Sequence, residues 1–488
     1  MATSVNTAEF MSSIPTLMFI DGKWVEAKTG KKMSVEDPSI AEPIATVPDC
    51  GPEDALLALD AAARAQSSFA KVPPRERSEI LRRAYQAMVD KIETLAMLIT
   101  LENGKPLNES RAEVLYAAEF FRWFSEEAVR IDGRYTVAPN GAGRILVTYA
   151  PVGPSLLITP WNFPAAMITR KAGAAIAAGC TMVVKPAEET PLTALLLAKI
   201  LKDAGLPDGV MNVITTSDPE NVVNAILNDF RCKKVSFTGS TFVGSLILEK
   251  SAKNIIKASM ELGGNAPFIV CDDADLDKAV EGAMVAKLRN SGEACTAANR
   301  FYVARNVADQ FSNMLAGRMS ELKVGRGFEE GVAIGPLIND QGLSKVESMV
   351  QDMLAKGAEV VIGGEKLPRK GYFYAPTVVR NVHPESIVLK EEIFGPVAPI
   401  VEFDTLEEAI ELANNTTYGL VAYAYTKDLR KAMELSEKLE YGMVGINTGL
   451  VSNPAAPFGG IKKSGIGREG GKEGILEYLE VKYVYLNW

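Results

Sequence analysis

At 488 residues the chain is longer than one hydrophobic core sustains, so two or three domains are expected. A composition of 47% hydrophobic and 23% charged residues, with a net charge of −9, reads as soluble and globular and disfavours nucleic acid and anionic membrane as partners. The five cysteines are scattered and form no CxxC or Cys/His cluster, no apolar run reaches membrane-spanning length, and Met1 to Ser13 lacks the regions of a secretory signal; a zinc site and a disulfide scaffold are disfavoured, and a reducing cytoplasm fits best.

The first fifty residues read as turns and short strands, with Asp21-Gly22 turning a hairpin between Ile20 and Lys23. Helical periodicity runs from about Pro52 to Asn103. From Ser155 short apolar strands alternate with helices. Strands are expected at 155–159, 181–184, 210–214 and 234–237, and helices at 165–178, 192–204 and 219–227. This alternation predicts a parallel, doubly wound sheet with right-handed crossovers. A second alternating series starts at Ala266 and continues through Phe301, Val360 and Val444, which places a boundary near Glu261. Gly133 to Tyr149 alternates like a hairpin, and Tyr478 to Trp488 is extended; such appendages usually find partners in another subunit.

Cys295, in Asn290-Ser291-Gly292-Glu293-Ala294-Cys295-Thr296, is the residue most suggestive of chemistry. Cys180, Cys232 and Cys271 stand in apolar contexts that suit core positions. Cys295 follows a small-residue loop, where a cysteine is rarely structural. The chain has one histidine, His383, in a different motif, so the thiol must be activated by backbone amides, a helix terminus or a bound cation. Glu261, before Leu262-Gly263-Gly264, reads either as a hydrated strand-end carboxylate or as a general base beside a glycine hinge, its pKa raised by burial. Asn162, between Pro160 and Pro164, reads equally as part of a rigid turn or as an oxyanion donor. Gly239 and Ser240 follow a strand and open a helix, where phosphate binds, although the G-x-G-x-x-G pattern is absent and helix capping is the plainer reading. Lys185 and Glu188 end another strand and read as a solvated turn or as ligands of a ribose.

Six motifs in order are Pro160-Trp161-Asn162-Phe163-Pro164, Lys185-Pro186-Ala187-Glu188, Phe237-Thr238-Gly239-Ser240-Thr241, Glu261-Leu262-Gly263-Gly264, Gly292-Glu293-Ala294-Cys295 and Glu391-Glu392-Ile393-Phe394-Gly395-Pro396. Together they closely resemble the NAD(P)-dependent aldehyde dehydrogenase superfamily, from about Ile20 to the C-terminus. Ile168-Thr169-Arg170-Lys171, Gly449-Leu450-Val451-Ser452-Asn453 and Ala456 to Lys462 are similar to the succinate-semialdehyde dehydrogenase branch.

The resemblance implies two doubly wound α/β domains, one Rossmann-like for the cofactor and one catalytic, plus a small β oligomerisation extension. It implies cofactor binding by 1–124 and 145–261, with part of 453–472 returning to it, catalysis by 262–452, and oligomerisation through 125–144 and 473–488. Cys295 is then the nucleophile, Asn162 an oxyanion donor and Glu261 the base. Thr159, Pro160, Trp161, Lys185, Ala187, Glu188, Gly239, Ser240, Leu262, Glu392 and Phe394 would hold NAD or NADP, and no metal is implied. Arg170, Arg289 and Ser452 would hold the distal carboxylate of succinate semialdehyde, arginine being suited to bidentate carboxylate binding. Against this, Arg170-Lys171 reads as an exposed helix start and Arg289 as a partner of a helix C-terminus.

Two departures matter. Position 297 is alanine where some relatives carry a second cysteine, so no local disulfide switch is expected. Glu188 stands where NADP-preferring relatives often have a hydroxyl; it favours a free ribose hydroxyl while Lys185 pulls the other way, and the preference stays open. A homodimer or homotetramer is implied by the family. Rival readings are a glutarate-semialdehyde or broader aldehyde dehydrogenase, a non-catalytic nucleotide-binding protein, and a thiol hydrolase, which would generally need a histidine beside the cysteine.

Overall fold

A computed structural model describes residues 7–487; Trp488, at the end of the expected C-terminal segment, and residues 1–6 of the Met1 to Ser13 stretch lie outside the described residues. Asp21 (φ 52°) and Gly22 (φ 75°) both take the left-handed conformation that a two-residue hairpin turn requires, and Ile20 pairs with Lys23 across it.

That hairpin forms one edge of an eight-stranded sheet. The order is Lys23–Val25, Met18–Ile20, Met211–Val213, Met182–Lys185, Ser155–Ile158, Lys234–Thr238, Lys257–Glu261 and Gly465–Ile466. The five strands between residues 155 and 261 are parallel, and the outer strands join antiparallel. In chain order these five lie 3-2-1-4-5, the doubly wound arrangement whose topological switch lies between Ser155–Ile158 and Lys234–Thr238. Successive residues enter opposite cores. Leu157 and Val184 pack on the side of helices Pro74–Asp90, Leu107–Glu127, Ala166–Ala178 and Pro191–Asp203, while Leu156, Ile158 and Val183 pack on the side of Pro52–Phe69 and Pro219–Leu227. Burial on both faces explains the near-continuous apolar runs of these strands.

The second sheet has the order Glu359–Ile362, Thr377–Arg380, Val397–Phe403, Ala298–Ala304, Ala266–Val270, Val421–Tyr425 and Met443–Ile446, parallel except for its first pair. A third, antiparallel sheet joins Leu479–Leu486, Arg144–Pro151 and Arg134–Val137, with Tyr135, Val137, Val481 and Tyr483 exposed. Among the described residues no helix is long and apolar enough to cross a membrane.

Candidate active site

The carboxyl ends of the first sheet face the amino ends of the second, and the motifs meet there. Helix Leu276–Leu288 ends just before Arg289, and Asn290 (φ 51°), Ser291 (φ 55°) and Gly292 (φ 83°) run through left-handed conformations before Cys295. Left-handed backbone costs non-glycine residues about 1–2 kcal/mol each, so the surroundings must hold it. The Asn290 amide donates to Glu109 at 2.6 Å, the Gly335 amide donates to the Ser291 hydroxyl at 3.1 Å, and the Asn290 side chain donates to the Asn162 carbonyl at 2.9 Å. A side chain at Gly292 would collide with the carbonyl of Gly395, so the nucleophile loop and the Glu392–Phe394 loop pack backbone to backbone. Gly264 does the same beneath the Cys295 carbonyl, where a Cβ would come within 2.6 Å of the oxygen.

Asn162 is buried. Its side-chain Nδ2 donates to the Glu293 carbonyl at 3.0 Å, which spends one N–H and leaves the second. Its own carbonyl also accepts from Lys105 Nζ at 2.8 Å. Lys105 is buried and paired with Glu113, whose other oxygen accepts from the amides of Ala165 and Ala166 at the head of the next helix. The pair thus fixes the Asn162 loop at both ends.

Cys295 is half-buried and unpaired. Burial, then the nearby Glu392 and Glu261 carboxyl groups, push its thiol up to about 12, opposed by Arg170 and Arg289. Glu261 closes its strand fully buried, with neither carboxylate oxygen bonded among the described residues. Burial and the Glu469 charge hold its carboxyl well above the usual range, against Lys171, Arg170 and Arg468. His383 is exposed and accepts from the Glu385 amide, so it takes no part in the cysteine's surroundings.

A cleft of about 410 Å³ at the topological switch is lined by Pro160, Trp161, Asn162, Gly239, Ser240, Leu262, Glu392, Phe394 and Cys295. Ser240 caps helix Thr241–Ala252 by accepting from the Val243 amide at 3.2 Å, so the capping reading holds, and the helix end still opens onto the cleft. Trp161 and Phe394 meet edge to face at 5.5 Å across it. Burial pushes the Glu392 carboxyl up to about 7, and the Gly264 amide donates to it at 3.4 Å. Thr159, Lys185, Ala187 and Glu188 lie outside that lining, at the ends of the two adjacent strands, with Lys185 bonded to Glu188 at 2.7 Å. An elongated cleft between a helix N-terminus and a thiol, with aromatic walls and a carboxylate, fits a dinucleotide.

A second, narrow cavity behind Cys295 is lined by Tyr116, Phe163, Met167, Arg170, Arg289, Ala294, Thr296, Ser452 and Phe458. Arg170, Arg289 and Ser452, distant in sequence, are brought together with the thiol. Arg170 and Lys171 are both buried, which excludes the exposed-helix-start reading. Arg289 donates to the Thr296 hydroxyl at 3.2 Å and lies 5.1 Å over the Phe163 ring. Sequence reasoning missed Tyr116, Glu469 and the Lys105–Glu113 pair. Only the glycine-rich setting of Glu469, in Gly467-Arg468-Glu469-Gly470-Gly471, carries any local signal.

A model of the aldehyde dehydrogenase family matches residues 24–484. A succinate-semialdehyde dehydrogenase of Paenarthrobacter nicotinovorans is 53% identical over 90% of this chain and 98% of its own. A glutarate-semialdehyde dehydrogenase of Pseudomonas putida is 48% identical over 96% of this chain and 97% of its own. The crystal structure of an NADP-dependent enzyme from E. coli superposes with a TM-score of 0.97 at 47% identity, covering 99% of this chain and all (100%) of that one.

Proposed function

The chain belongs to the aldehyde dehydrogenase family, and from that premise we propose that it oxidises succinate semialdehyde to succinate through a thioester on Cys295. It is an NAD(P)-dependent enzyme. One observation carries the substrate assignment: Arg170, Arg289 and Ser452 line the same cavity as the thiol. Two cations and a hydroxyl there suit an aldehyde with a carboxylate at its far end.

The Cys295 thiol first gives up its proton to solvent water; the sulfur then bonds to the aldehyde carbon, the C=O π bond breaks and the carbonyl oxygen becomes an oxyanion. The free N–H of Asn162 and the Cys295 backbone N–H receive that charge, a kind of contact worth about 2.7–4 kcal/mol in the transition state. NAD(P) held in the cleft would supply the acceptor for the hydride lost from that carbon, which is left on the Cys295 sulfur as a thioester. Glu261 takes a proton from water, the water oxygen adds to the thioester carbon, the C–S bond breaks and succinate leaves. Ser240 and the helix it caps would face the pyrophosphate, Glu392 the nicotinamide ribose, Phe394 and Trp161 the ring, and Lys185 with Glu188 the adenosine ribose. The first sheet with its helices would bind the cofactor and the second would carry the chemistry. The exposed apolar residues of the third sheet support a homodimer or homotetramer, and five free cysteines suit a reducing cytoplasm.

A second reading, glutarate semialdehyde, is favoured by the Pseudomonas relative. One methylene separates the two substrates, and a pocket discriminates that by only about 10–200-fold. The test is reduced-nicotinamide absorbance with semialdehydes of graded length and with butanal, using both cofactors. Succinate semialdehyde is expected to give the highest kcat/KM. Equal values for butanal would reject the carboxylate reading, and a higher value for glutarate semialdehyde would favour the second.

A further inference from the structure

Arg170 is 2% exposed, and its guanidinium lies between the Phe458 ring at 4.4 Å and the Phe120 ring at 4.9 Å. Nη1 donates to Glu469 Oε2 at 3.5 Å, a long contact, and Nη2 donates to the Tyr116 hydroxyl at 2.6 Å. Nε is buried and has no partner among the described residues. Glu469 is shared, since its other oxygen receives Lys171 Nζ. Among the described residues Glu469 is therefore the one carboxylate that contacts either buried cation directly, since Glu261 lies near both but hydrogen-bonds to neither.

We propose that Tyr116 determines specificity by positioning Arg170, so that the cavity selects aldehydes with a terminal anion. The inference rests on the acid-semialdehyde reading above. Nε and Nη2 form one edge of the guanidinium plane, and Nη2 has a second N–H beyond the one Tyr116 accepts. Nε–H and the remaining N–H of Nη2 are therefore two donors left for a carboxylate, while the Nη1 end is held by the protein. A phenol is a neutral acceptor. It fixes the angle of the plane without cancelling its charge, as a carboxylate in its place would. Helical spacing braces it: Phe120 follows one turn later in helix Leu107–Glu127, and the two rings meet edge to face at 5.0 Å.

Tyr116→Phe keeps the ring and the cavity wall and removes the acceptor. The assay compares KM and kcat for succinate semialdehyde with those for butanal, an uncharged aldehyde of equal length, in the whole enzyme with its cofactor. KM for succinate semialdehyde should rise about tenfold, as for loss of one bond to a charged group, with kcat within about twofold and a clearly smaller change in the butanal constants. A thermal melt matching wild type reports an intact fold. Equal changes on both substrates, or none on either, overturn the positioning role. If wild type itself fails to prefer succinate semialdehyde over butanal, the acid-semialdehyde reading falls and takes this one with it. If wild type prefers it and Tyr116→Phe prefers it equally, only the role of Tyr116 falls.

Discussion

Replacing Arg289 by methionine isolates the charge from the packing. Arg289 is half-buried; it donates to the neutral Thr296 hydroxyl at 3.2 Å, lies 5.1 Å over the Phe163 ring, and its charge acts on the buried Glu109 and on Cys295. Methionine keeps an apolar stem against that ring; the lost hydrogen bond is worth about 0.5–1.5 kcal/mol, and Lys105 remains as a cation near Glu109. Arg170 would be a worse choice, because it shares Glu469 with Lys171, and removing one partner of a buried pair costs about 3–5 kcal/mol. A bond from Arg289 to the substrate carboxylate is charge-assisted and worth about 1.5–3 kcal/mol. The expected loss in kcat/KM for succinate semialdehyde is therefore about 10- to 150-fold, with a clearly smaller loss for butanal, which feels Arg289 only through the thiol. Initial rates on both aldehydes at saturating cofactor measure it, with a thermal melt as the control for folding. Equal losses on the two aldehydes in a protein that melts normally would refute the assignment of this cavity to a carboxylate.

Glu261→Gln should slow turnover about 10²–10⁴-fold, as expected for loss of a general base, and leave a burst of about one reduced cofactor per site. Burial and Glu469 raise the Glu261 carboxyl well above 4.5, and the base acts when deprotonated, so the wild-type hydrolysis rate should rise with pH through that raised value and the variant should lack the rise. Full multiple turnover in Glu261→Gln would reject the role. Lys105→Met strands the buried Glu113 and should cost about 3–5 kcal/mol of stability. Glu113→Leu added to it should recover only part, because Glu113 also caps Ala165 and Ala166; an unchanged melting temperature in the single variant would contradict the bracing of the Asn162 loop. Glu188→Ser removes a carboxylate bonded to Lys185 and should raise the ratio of NADP to NAD kcat/KM about tenfold, equivalent to about 1.4 kcal/mol. An unchanged ratio would refute the account of Glu188.

The alternating strands and helices from Ser155 to Phe237 were legible because each element is buried by its own local pattern. The observed strands end within one or two residues of the expected ones. The positions of Cys295, Glu261 and Asn162 were legible for a different reason: small residues and prolines mark loops where a reactive side chain stands out. The Arg289 geometry was only half legible. Its place beside a helix C-terminus was expected, and helix Leu276–Leu288 does end there; the left-handed turn of Asn290 and Ser291, held by Glu109 and Gly335, was not. Nothing local distinguishes Glu113 or Tyr116 from other residues on a long amphipathic helix. Their meaning comes from Asn162 and Arg170, which the chain brings to them over about fifty residues. Glu469 reaches Arg170 and Lys171 across nearly three hundred. Strand Val397–Phe403 and its neighbour Thr377–Arg380 were also missed, being short apolar stretches after a loop with no helix to announce the crossover.

The most direct trial follows the carbon on the sulfur. Wild-type enzyme mixed with succinate semialdehyde and oxidised cofactor, quenched during the first turnover and digested, should yield one acyl group on the Cys295 peptide and an equal amount of reduced cofactor. Cys295→Ala should yield neither. Steady turnover in that variant, or an acyl group on any other residue, would contradict covalent catalysis at this thiol.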